Sequence, residues 1–163
     1  MKTLFAAIVI AGSFAATIGS ADAGTAPMQG PVTAASPYGT AQEAREMLDR
    51  AVVELKANEA AALAKFNRDD GGFREADLYV ACFDAASGKI TAHPDPARMG
   101  GNIRDMKQAD GKAFGQEIFT SAKEGAVATV TYMYPRPGMT KPVAKESYVT
   151  RVGGQGCIVG YYK

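Results

Sequence analysis

The sequence predicts an antiparallel α+β domain behind an export signal. Three observations carry the fold class: a stretch from Ala41 to Phe66 free of Gly and Pro with apolar residues at helical spacing, five later runs of strand-forming residues, and one further helical segment among them. The order is α, β, β, α, β, β, β, and strands that follow one another without alternating helices argue an antiparallel sheet.

Lys2 precedes an apolar run from Leu4 to Gly12, and Ala21, Asp22 and Ala23 follow. This is the charged start, short apolar centre and A-x-A exit of a secretory signal peptide over residues 1–23. The run is far shorter than the roughly 20 residues of a membrane span, and no comparable run follows, so the expected product is periplasmic or secreted. Residues 24–39 carry no charge and interleave Pro27, Pro31 and Pro37 with Gly24, Gly30 and Gly39, the composition of a flexible leader.

The single domain expected over residues 40–163 opens on a capping-box spacing, Thr40 three residues before Glu43. Met47, Ala51, Leu55, Ala62 and Phe66 then continue one apolar stripe. One helix to Phe66 would reach roughly 40 Å at about 1.5 Å per residue, beyond the width of such a domain. It covers a sheet, and its overhanging end offers a contact for a homodimer. Asn67 to Gly72 breaks the pattern. Leu78–Phe83 and Lys89–Ala92, joined at Ser87 and Gly88, read as a hairpin, and Pro94 and Pro96 end its pairing. Met99 to Gly111 reads as a loop with a helical turn, and Lys112 to Glu124 as a second helix stopped by Gly125. Val127–Tyr134, Val143–Val152 and Cys157–Tyr162 complete the strands.

Eighteen basic residues against 17 acidic ones leave a net charge of +1, which gives nucleic acid and anionic membranes no electrostatic hold. With two cysteines and one histidine, no CxxC, HxxxH or CxxCH spacing exists, so neither a zinc site nor attached haem is expected. Asp110 is the one acid in QADGK, too few for a calcium loop, and no cofactor is expected. Export favours a Cys82–Cys157 disulfide, the alternative being two buried free thiols.

The chain resembles the single Cache domains, extracytoplasmic PAS-like sensor modules of bacteria. The resemblance rests on LYVACFDAASGKITAHP at 78–94, MGGNIRDMKQADGKAF at 99–114, EGAVATVTYMYPRPG at 124–138 and KESYVTRV at 145–152. It implies a five-stranded antiparallel PAS-like sheet of order 2-1-5-4-3, a long N-terminal helix, and a small-molecule pocket between the sheet and the loops after the second strand. It also makes the first and last strands neighbours, where Cys82 and Cys157 could close. Such domains bind small metabolites such as carboxylates, amino acids or amines and usually sit between membrane helices. Without a second apolar segment, a free binding or accessory protein is expected, acting with a membrane receptor or kinase.

Lys145 falls inside a strand at about the point where the resemblance places a lysine, and an ammonium near tyrosine hydroxyls suits a small carboxylate. The alternative is a lysine whose stem covers apolar surface. Tyr132 and Tyr134 share a face by the two-residue period and line the pocket or pack the core. Tyr79 is a further candidate. Tyr148 belongs to the set only if a bulge or an edge position intervenes, because three positions separate it from Lys145. His93 braces the loop or hydrogen-bonds in the pocket; with no partner motif beside it, no catalytic residue and no enzyme are expected. Arg98, Met99 and Arg104 lie in the loop that the resemblance folds over the ligand. The two functions in view are a small-molecule sensor and a structural protein whose pocket is filled by its own side chains.

Overall fold

A computed structural model describes residues 36–163; the expected signal peptide and most of the leader lie outside them. Thr40 caps α1 (Ala41–Ala57): its hydroxyl accepts from the Glu43 N–H, and the Glu43 carboxylate accepts from the Thr40 N–H. Ala44, Met47, Leu48, Ala51 and Leu55 form the buried face of the helix. The single helix expected to Phe66 is instead two. Asn58 takes an extended backbone (φ −162°, ψ 102°) and its side chain accepts from the Ala61 N–H, so it ends α1 and caps α2 (Glu59–Asn67). A short amide side chain competes with the helix for backbone donors, which a search for Gly and Pro alone misses. The bend folds α2 back, burying Ala62 and Phe66, and the overhang that the homodimer expectation rested on is absent.

The strands are β1 (Arg74–Glu75), β2 (Leu78–Asp84), β3 (Ile90–Ala92), β4 (Ala128–Pro135), β5 (Pro142–Val152) and β6 (Gln155–Tyr162). All pair antiparallel in the order β3-β2-β6-β5-β4, with the two-residue β1 added on β2. Without β1 this is the five-stranded order that the resemblance implies. Side chains alternate along β2: Leu78, Val80 and Cys82 pack under α1 and α2, while Tyr79, Ala81 and Phe83 face the other way.

That second face is covered by the connection from β3 to β4, made of 3-10 turns at Pro96–Arg98 and Ile103–Asp105 and of α3 (Gly115–Ser121). The second helix is shorter at both ends than the expected Lys112 to Glu124. The Gln108 N–H donates to the Lys112 carbonyl and Lys107 bridges Ala113; beyond the helix, the Arg151 N–H donates to the Lys123 carbonyl. Backbone groups that a longer helix would need are taken by these pairings.

Cys82 and Cys157 are register partners across β2 and β6, their Cα atoms 4.1 Å apart, and they form a disulfide. Of the two readings left open by the sequence, the oxidised pair is the one observed. Among the described residues, no helix is long and apolar enough to cross a membrane.

Candidate functional site

The register of three strands builds the site. Lys145 on β5 stands opposite Tyr132 on β4 and Tyr162 on β6, so the three side chains cross the sheet in a row, on the face opposite α1. The Lys145 Nζ lies 3.0 Å from the Tyr79 Oη and 3.4 Å from the Tyr162 Oη, donating to both. It also sits over the rings of Tyr79 and Tyr162, 4.1 and 4.6 Å from their centroids. The residue is only 2% exposed. Gly160 makes this burial possible, because a Cβ there would lie 2.5 Å from the Lys145 Cε and 2.2 Å from the Ser147 Oγ.

Burial pulls the Lys145 ammonium down from 10.5 to about 7; the nearby Asp77 carboxylate opposes the drop and Arg136 adds to it. Among the described residues no carboxylate forms an ion pair with Lys145. Ring faces and hydroxyls are weaker compensation for a buried charge than an anion would be.

The other candidates surround this ammonium. The Tyr132 hydroxyl hydrogen-bonds the Ser147 Oγ at 2.9 Å, and its ring stacks on Phe114 with centroids 4.1 Å apart. Tyr134 meets both rings edge-on. Burial raises the pKa of the Tyr79, Tyr132 and Tyr162 hydroxyls, so they stay protonated and able to donate. His93 leans its ring on Tyr79 at 5.5 Å, its Nδ1 accepts from the Asp95 N–H, and its backbone N–H donates to the Asn67 Oδ1 at the end of α2. Burial draws the imidazole pKa from 6.5 to about 4, which keeps it neutral near pH 7.

Two hollows meet at Tyr79, His93 and Tyr134. The inner one holds about 20 Å³ between these residues and Tyr132, Phe114 and Ile118, space for one water. The outer one, about 310 Å³, is walled by the same three with Arg98, Arg136 and Pro137.

The structure gathers Tyr79, Tyr132, Tyr134 and His93 around the inner hollow; Lys145 lies behind Tyr79 and lines neither hollow. Tyr148 is a correction: no bulge intervenes on β5, and it packs with Tyr161 on the helix-covered face, ring centroids 6.0 Å apart. Met99 stands 38% exposed and lines neither hollow, whereas its neighbour Arg98 lines the outer one. Arg104 braces the hairpin turn, donating to the Ala86 carbonyl and lying over the Phe119 ring. Sequence reasoning missed Tyr162, Ser147, Gly160 and Arg136. The two-residue period puts Gly160 and Tyr162 on the face of Ile158, a signal present in the sequence; that Tyr162 stands against Lys145 needed the register.

This order of elements, with a pocket between the sheet and the β3–β4 connection, agrees with a family match: the model of single Cache domain 2 covers residues 34–162. The chain belongs to that family. A relative of this single Cache domain, the methyl-accepting chemotaxis protein McpP of Pseudomonas putida, is 27% identical over 119 residues, which are 72% of this chain and 20% of that protein. The chain thus spans a small part of that relative's length. A methyl-accepting chemotaxis protein from Vibrio parahaemolyticus superposes on the Cache domain with a TM-score of 0.60 at 20% identity, covering 74% of this chain and 86% of that one. The periplasmic sensor domain of a chemotaxis protein gives 0.56 at 23% identity over 74% and 88%. A Cache chemosensory domain solved for carboxylic acid recognition gives 0.54 at 25% identity over 74% and 86%.

Proposed function

We propose that this Cache domain is an extracytoplasmic ligand-binding module that takes a small carboxylate against Lys145 and has no catalytic role. One observation carries the reading: an ammonium buried to 2% exposure and, among the described residues, held by tyrosine hydroxyls and rings with no acid paired to it. A ligand carboxylate would supply the missing charge, with the Tyr79 hydroxyl as a further donor and Tyr132 and Tyr134 as walls. The resemblance to a domain solved for carboxylic acid recognition supports this choice of ligand. A chemotaxis protein among the relatives supports a membrane receptor or kinase as the partner that reads occupancy.

A second reading is favoured by the inner hollow, which the protein's own tyrosines narrow to about 20 Å³; on it the cluster is structural and the domain an interaction module. Thermal shift against a panel of short carboxylates separates the two. A ligand at 100 times its dissociation constant adds about 2.7 kcal/mol to stability. Lys145→Met should then weaken binding by about 2 kcal/mol, roughly thirtyfold, with the fold intact. No stabilisation by any acid of the panel would leave the structural reading standing.

A further inference from the structure

The pocket is joined to the segment that leads into α1 by one side chain. Arg136, in the hairpin between β4 and β5, is 15% exposed and ion-pairs with Asp77. Its guanidinium lies over two rings, 3.9 Å from the Tyr38 centroid and 4.6 Å from that of Tyr162. Tyr162 is the residue whose ring and hydroxyl hold the Lys145 Nζ, and its own hydroxyl donates to the carbonyl of Pro135, next to Arg136. At the far end, the second Asp77 oxygen accepts from the Gly39 N–H at 2.7 Å. Gly39 is pressed so closely on Leu78 that a Cβ would lie 2.1 Å from the Leu78 Cγ. Lys145, Tyr162, Arg136 and the pair Tyr38–Gly39 thus form an unbroken chain of direct contacts.

Two cations share the Tyr162 ring, and one carboxylate, Asp77, lies near both. Their mutual repulsion works against the hold of Arg136 on Asp77 and Tyr38. We propose that Arg136 couples the charge state of Lys145 to the segment 38–40, so that neutralising Lys145 with an anion tightens the clasp of Arg136 on Asp77 and Tyr38. This rests on the carboxylate reading of the pocket for its natural trigger, but the coupling itself can be read without ligand.

The test follows amide hydrogen exchange of Gly39 and Thr40 at pH 6 in the exported chain. Lys145→Met, which touches neither residue, should slow their exchange about tenfold relative to amides of α3, whereas a merely destabilising change would speed exchange throughout. Lys145→Gln replaces it if the Met variant does not fold. Unchanged or faster exchange overturns the coupling, and so does a Lys145→Met effect that persists when Arg136→Gln is present. In the parent protein, saturating propionate should slow the same amides. Calorimetric binding of propionate without that slowing overturns the coupling and leaves the pocket reading intact. If no carboxylate binds, the pocket reading falls and the Lys145→Met arm alone decides the coupling.

Discussion

Lys145 and His93 set opposite ends of the pH response. In the folded chain Lys145 titrates near 7 rather than 10.5, so between those values the unfolded chain binds more protons and stability rises with pH, by up to about 1.4 kcal/mol per unit. His93, drawn to about 4 from 6.5, gives the same sign in a lower window: stability is lost as pH falls from 6.5 to 4. Urea unfolding from pH 4 to 10 should show both limbs, and Lys145→Met should flatten the upper one alone. On the proposed reading, a carboxylate binds the ammonium form, so affinity should hold below pH 7 and fall above it by up to about tenfold per unit, with a proton taken up on binding. Calorimetry in buffers of different ionisation enthalpy reads that proton. Gly160→Ala pushes a methyl into the Lys145 stem and should cost about 1–3 kcal/mol in urea unfolding, with weaker carboxylate binding. That Tyr132 and Tyr134 share a face was legible from the strand period, whereas Lys145 was singled out by the place where the resemblance puts a lysine. Tyr162 and Gly160 were not singled out, because their importance lies in what stands opposite them in the sheet.

Between residue and fold, the caps decide where the helical segments run. Thr40 and Glu43 announced the start of α1 because both halves of the capping box lie in sequence. Asn58 gave no such notice: a lone Asn in an alanine-rich stretch is compatible with an unbroken helix, and what favours the bend is the burial of Phe66 and the reach of Asn67 to His93 and the Thr91 carbonyl. Asn58→Ala should therefore cost about 1 kcal/mol through the lost α2 cap. Chemical denaturation measures it, and hydrogen exchange should rise in α2 more than in α1. The ends of α3 were hidden for a similar reason, since backbone pairings with residues far along the chain claim them.

Across the whole molecule, the α+β class followed from element order, while the arrangement of the strands came only from the resemblance to Cache domains; local pattern identifies strands but not their neighbours. The disulfide joins strands whose cysteines are 75 positions apart, and in the chain-entropy model a loop of that length contributes about 4 kcal/mol. Reduction should lower the denaturation midpoint accordingly, and mass spectrometry of protein isolated without reductant should find no free thiol. The strand order has one more consequence. Among the described strands, β6 lies between β2 and β5 and alone joins β2 and β3 to β4 and β5. Without residues 155–162 the strand pairing of the main sheet is left as two hairpins, β2–β3 and β4–β5, and Cys82 has no partner. A chain cut before Gln155 should therefore lose the continuous sheet, the disulfide and the Tyr162 hold on Lys145 together, which circular dichroism and thiol counting would read.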